Sequence, residues 1–308
     1  MTQLNRSKLT ELIESEEQLF HKSHPKSYEL YQRALKSLHG GVPMLWMIRW
    51  AGSFPVFVRE AKGAHFTDVD GNSYIDFCLG DTGAMTGHSP EATVNAINEQ
   101  IQKGITLMLP YEDVIWVGEE LQRRFKLSYW QFALTATDAN RFALRMARMI
   151  TERPKILVFN YCYHGSVDET FIVLDEEGTP MSRPNNMGPQ VDPRFTTKVI
   201  EFNDIAALET ALSARDVAAV LAEPVMTNIG IIHPEPGYHD ALRDLTRKYG
   251  TYLIIDETHT ICAGPGGATA AWSRRWRRGS PVPRTSTRPP GGGPTPRSTS
   301  SRRTTGSR

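Results

Sequence analysis

The chain has 308 residues, 40% of them hydrophobic, a net charge of +1 and three cysteines, which is enough for one large domain or two modest ones. The near-neutral charge hides a segregation: residues 268–308 hold ten of the 35 basic residues, all Arg, and none of the 34 acidic ones, leaving 25 basic against 34 acidic before them. A body this acidic has no general attraction for nucleic acid, no apolar run approaches the ~20 residues that span a bilayer, and the polar, acidic start is unlike a secretory signal.

Cys78, Cys162 and Cys262 stand far apart with no metal-type spacing, so no metal site is expected and a reduced, cytoplasmic setting is. Residues 1–38 place Leu, Ile and Phe at helical spacing among charges and predict helix. Residues 39–55 are punctuated by Gly and Pro and read as a loop with Trp and Met anchors. Residues 64–68 and 73–77 predict a hairpin around Asp70-Gly71, a dipeptide suited to positive φ. Val94, Ile97 and Ile101 form a helical stripe with Gly104 as its C-terminal cap. Residues 135–140 precede a helix with Phe142, Met146 and Met149 on one face; Arg141, Arg145 and Arg148 form a solvated row.

Residues 155–160 and 217–224 read as buried strands, Leu242, Leu245 and Tyr249 as a helical stripe ended by Gly250, and residues 251–256 again as a buried strand. Short apolar strands alternating with amphipathic helices predict an α/β fold with a mainly parallel sheet covered on both faces. The chain divides into an N-terminal helical segment and loop (1–60), a large domain (61–267) and a tail (268–308). The tail's Arg, Pro, Gly, Ser and Thr have no periodicity and cannot offset the entropy of ordering, so it is expected to be disordered.

Ligands of such sheets gather at the carboxyl ends of the strands, where Glu223, Asp256 and the loop around His164 fall. A carboxylate ending an apolar strand, as Asp256 does, is costly unless paired. It is a cap or loop contact, or the partner of a cationic ring nitrogen. Two such carboxylates on alternating segments suggest a shared polar cleft. Tyr163 and His164 stand on a post-strand loop, as core residues or stacked on a planar ligand. Ala136 and Thr137 start a helix, where open N–H groups suit an anion and simple N-capping is the plainer reading.

In order and spacing, these segments resemble the class III pyridoxal-phosphate aminotransferases, especially the branch that includes glutamate-1-semialdehyde aminomutase. The match covers about residues 28–267. It includes Gly40-Gly41-Val42, residues 68–77, Gly87-His88, residues 135–140, Tyr163-His164-Gly165, residues 222–225, Asn228, Gly230, Pro236-Gly237-Tyr238 and residues 254–260. The resemblance implies an aspartate-aminotransferase-like large domain (fold type I), incomplete at its C-terminus. It also implies the cofactor pyridoxal 5'-phosphate, a small-molecule amino donor and acceptor, and a homodimer. Asp256 would pair with the pyridine nitrogen, Tyr163 would stack on the ring with His164 beside it, and Glu223 would sit near the phenolic oxygen. Ala136 and Thr137 would cradle the phosphate.

Departures accompany the resemblance. Ala136 replaces the family's usual Gly, and Thr258 replaces the Val that packs on the ring's other face. Arg49 lies where the family often contacts substrate. The lysine that links covalently to the cofactor should follow Asp256 by about thirty residues, but Lys248 is the last lysine of the chain. Arg288, before Gly291-Gly292-Gly293, stays protonated and cannot substitute. The expectation is a truncated or frameshifted transaminase or aminomutase with little turnover. The rival expectations are a non-catalytic fragment, or a binding protein whose Arg-rich tail contacts nucleic acid or an acidic partner.

Overall fold

The computed structural model describes residues 5–184 and 186–270. Helix α1 (Arg6–Ser23) begins at Asn5, whose side chain accepts the Lys8 N–H, satisfying one orphan donor of the first turn. The predicted helical stretch breaks at His24, because Pro25 opens α2 (Pro25–Ala34) and disfavours helical geometry in the residue before it. Strands β1 (Val58–Lys62), β2 (His65–Asp68) and β3 (Ser73–Ile75) form an antiparallel sheet in that order. The β2–β3 turn contains Gly71 at φ +98°, as the Asp-Gly dipeptide predicts. Asp70 accepts the N–H groups of Lys26 and Ser27 at 2.7 and 3.0 Å, so the hairpin caps α2. Buried Asp68 accepts from the Tyr74 hydroxyl at 2.9 Å, and that hydroxyl also meets His24 Nε2 at 2.6 Å.

Three helices follow, α3 (Glu91–Ile101), α4 (Asp113–Phe125) and α5 (Ala136–Thr151). The C-terminal cap of α3 is Gln102; Gly104, two residues on, takes φ +99°. The expected face of Phe142, Met146 and Met149 is exposed, and α5 turns Asn140, Leu144 and Ala147 inward instead. The inward face is narrow and includes an amide, so the larger apolar residues beside it misled the periodicity.

The remaining elements are β4 (Lys155–Phe159), the ribbon of β5 (Ile172–Leu174) and β6 (Pro180–Ser182), α6 (Pro193–Thr196), β7 (Thr197–Ile200), α7 (Ile205–Ser213), β8 (Val217–Ala222), α8 (Tyr238–Tyr249) and β9 (Tyr252–Ile255). Four of these strands form a parallel sheet in the order β7-β4-β8-β9. Every residue of β8 is buried, which is why its sequence is a continuous run of Val, Ala and Leu rather than an alternation. β9 was expected to be buried but is an edge strand among the described residues, with Tyr252 43% exposed. The main core joins this sheet to Leu144, Ala147, Leu208, Leu212, Tyr238 and Leu242.

Most of the predicted disordered tail lies outside the described residues. Residues 267–270 form a helical turn, held by the Glu257 carboxylate, which accepts the N–H groups of Ala268 and Thr269 at 2.8 and 3.1 Å. Among the described residues no helix is long and apolar enough to cross a membrane.

Leu221 lies fully buried in β8, between β4 and β9. Leu221→Ala is expected to cost about 2–5 kcal/mol of stability, measured by urea denaturation; a loss under about 1 kcal/mol would contradict this placement of the core.

Candidate active site

The carboxyl ends of β4, β8 and β9 lie side by side in the parallel sheet, and Asp256 directly follows the last of them. Its backbone N–H extends the sheet by donating to the Ala222 carbonyl at 2.8 Å, which fixes the residue just past the end of β9. The side chain is only 7% exposed, so its charge must be met locally. Oδ2 accepts from Asn140 Nδ2 on α5 and from His164 Nδ1 on the loop after β4, each at 2.9 Å. Oδ1 accepts from the Thr258 N–H at 3.0 Å and the Thr258 hydroxyl at 2.5 Å. Burial alone would raise the Asp256 pKa, but the hydrogen bonds from His164 and Thr258 outweigh it and hold it well below the usual carboxylate range.

His164 is the other half of this pair. Burial disfavours its imidazolium form, yet Cys162 and the Asp256 carboxylate outweigh that and raise its pKa. Its Nε2 is buried, and the Cys162 side chain lies within hydrogen-bonding reach of the ring. Asn140 Nδ2 also donates to the His164 carbonyl at 3.2 Å, so one amide ties α5, the loop after β4 and the end of β9 together.

The start of α5 lies alongside the same loop. Thr135 is the N-cap and accepts the Asp138 N–H. Thr137 Oγ1 accepts the Ser166 N–H at 3.0 Å. Between them Gly165 takes φ +77°, and a Cβ there would lie 2.1 Å from Thr137 Oγ1, so this close approach of loop to helix requires glycine. Ala136 and Thr137 thus present the first backbone N–H groups of a 16-residue helix beside the loop that carries His164, a setting suited to an anion.

Glu223 follows β8 and is buried. Its Oε2 accepts from the Thr227 hydroxyl at 2.6 Å, and that hydroxyl also meets His259 Nδ1 at 2.5 Å. Glu223 Oε1 is buried with no partner. Burial dominates and raises the Glu223 pKa, opposed in part by Thr227 and His164.

Of the predicted residues, the structure brings Asp256, His164 and Thr258 into direct contact and sets Glu223, Ala136 and Thr137 around them. Tyr163 is 48% exposed beside His164. Arg49 is exposed at the end of the 3-10 turn Leu45–Arg49, and no hydrogen bond or ion pair joins it to Asp256 or Glu223. Sequence reasoning gave no role to Asn140, Thr227 or His259. Asn140 carried the one available signal, an amide on the inward face of an apolar helix. Among the described residues no group of three or more His, Cys, Asp or Glu is placed to hold a metal.

Residues 46–277 match the family model for class III aminotransferases. The glutamate-1-semialdehyde 2,1-aminomutase of Thermodesulfovibrio yellowstonii is 36% identical over 239 residues, 76% of this chain and 56% of that protein. The crystal structure of a glutamate-1-semialdehyde aminomutase from Pseudomonas aeruginosa superposes with a TM-score of 0.84 at 49% identity, over 87% of this chain and 59% of that one. A lysine-to-alanine variant of that enzyme, solved in complex with PMP, matches equally well. An omega-transaminase from Sphaerobacter thermophilus superposes with a TM-score of 0.74 at 30% identity, over 80% of this chain and 57% of that one. The chain therefore spans just over half the length of these relatives.

The raised Glu223 pKa has a testable sign. Below the unfolded value both states are protonated and burial carries no ionic cost. As pH rises through the higher folded value, the buried carboxylate ionises and destabilises the native state. Glu223→Gln is therefore expected to raise the melting temperature relative to the parent more at pH 8 than at pH 4.5. An equal or reversed difference in calorimetric scans would contradict the burial-driven shift.

Proposed function

The chain belongs to the class III aminotransferase family, and we propose that its cleft holds pyridoxal phosphate or the pyridoxamine form (PMP) for amino-group transfer to or from a small amino-acid-like substrate. Its fold is that of the type I pyridoxal-phosphate enzymes, to which its solved relatives belong. The carrying observation is Asp256, a buried carboxylate kept anionic by donors from three segments.

The residues present fit the cofactor. One buried polar atom, Glu223 Oε1, lacks a protein partner, and the start of α5 packs against the loop at Gly165 and Ser166, where its first N–H groups suit a phosphate. When bound, the cofactor's ring withdraws electrons from the substrate carbon that carries the amino group. Asp256 holds a proton on the ring nitrogen, and Asn140 and His164 fix the orientation of that carboxylate. Ala136 and Thr137 bind the phosphate through backbone N–H groups. Glu223, with its raised pKa, supplies a hydrogen-bonding group on the substrate side, and Tyr163 offers a ring for stacking.

Within these 308 residues no lysine follows Asp256, and the reading for them is non-covalent binding of the cofactor. The Pseudomonas relative carrying a lysine-to-alanine substitution, solved in complex with PMP, supports occupancy of such a site by PMP. Met108, Leu109, Tyr129 and Leu134 are each largely exposed, in keeping with a homodimer whose second copy covers apolar side chains. The three free thiols accord with a reducing, cytoplasmic setting.

PMP titrated into the full chain and followed by its own fluorescence is expected to saturate one site. Asp256→Asn is expected to weaken binding by about 10- to 100-fold, the worth of a charge-assisted hydrogen bond. Borohydride treatment after pyridoxal phosphate is expected to leave no stoichiometric protein adduct. Equal affinity of the parent and the Asp256→Asn variant, or an adduct at one internal lysine, would contradict the proposal.

A further inference from the structure

A carboxylate offers about four lone-pair positions, and in this chain the protein fills all four on Asp256. Asn140 and His164 take the two on Oδ2, and the Thr258 N–H and hydroxyl take the two on Oδ1. Three of these donors are fixed. Asn140 is buried on α5 and shared with the His164 carbonyl, His164 is fully buried, and the Thr258 N–H belongs to the backbone. Only the Thr258 hydroxyl can move, by rotation about one bond of an exposed residue. Its 2.5 Å contact is the shortest on Asp256 and lies in the range of strong O–H···O⁻ bonds.

We propose that Thr258 is an internal competitor for the cofactor. Its hydroxyl occupies the acceptor position on Asp256 that a protonated ring nitrogen needs, and it must rotate away before the ring can seat. The inference rests on the cofactor reading given above and deepens it, since it assigns to Thr258 control over how tightly this chain holds the group. The displaced hydroxyl regains hydrogen bonds from water, so the penalty is only the difference between two charge-assisted bonds, smaller than the loss of Asp256 itself. Valine has the same branched shape without the hydroxyl and leaves the Oδ1 position open. Serine retains the competitor.

The test compares dissociation constants for PMP, and for an analogue in which CH replaces the ring nitrogen, across the parent, Thr258→Val and Thr258→Ser. Thr258→Ala serves as a second hydroxyl-free variant should valine impair folding, judged by circular dichroism. The expected result is about tenfold tighter PMP binding in the hydroxyl-free variant, parent-like binding in Thr258→Ser, and no gain for the nitrogen-free analogue. Unchanged or weaker PMP binding without the hydroxyl, in a protein whose parent binds PMP, would overturn the competitor role and leave the cofactor site standing. An equal gain for both ligands would also overturn it, because packing rather than Asp256 would then be responsible. Failure of all three proteins to bind either ligand would overturn the cofactor reading and this inference with it.

Discussion

The constraint on which the site depends is the burial of one negative charge at the end of a parallel sheet. A carboxylate in that position is strongly unfavourable unless donors converge on it. Asp256 receives them from α5, from the loop after β4 and from its own downstream turn, the farthest being 116 residues away in sequence. Satisfying that charge therefore helps fix the relative placement of three segments, two of which also meet through Thr137 with Ser166 and through Asn140 with the His164 carbonyl. The same placement brings the start of α5 against Gly165, where only a glycine fits.

The two strand-end carboxylates show how environment divides similar groups. Both are buried and lie at neighbouring strand ends, yet their pKa values move in opposite directions. Asp256 has four donors and stays ionised. Glu223 has one, through Thr227, and keeps Oε1 unpartnered, so desolvation dominates and raises its pKa.

Much of this was legible in the sequence, because the signals were local. The unbroken apolar run of β8 required burial on both faces, the Asp-Gly turn required positive φ, and Asp256 and Glu223 were conspicuous as charges ending apolar strands. The edge position of β9 was not legible, since a run of Leu and Ile is the same whether one or two strands flank it. The inward face of α5 was misjudged because Asn140 is buried for the sake of Asp256, a reason that exists only after folding. The string from Glu223 through Thr227 to His259 depends on a turn that brings residues 227 and 259 together, and no spacing rule announces it. Thr258 was noticed as a departure, but its bond to Asp256 is a matter of side-chain geometry.

The most direct test of the account is the protonation state of the ring nitrogen when PMP, labelled with nitrogen-15 in the ring, is bound to the full chain at pH 8. With Asp256 anionic and facing the ring, the resonance is predicted to lie at the position of a protonated pyridinium, and to move to the neutral position in Asp256→Asn. A neutral-pyridine resonance in the parent protein would contradict the central claim that this buried carboxylate exists to hold a charge on the ring.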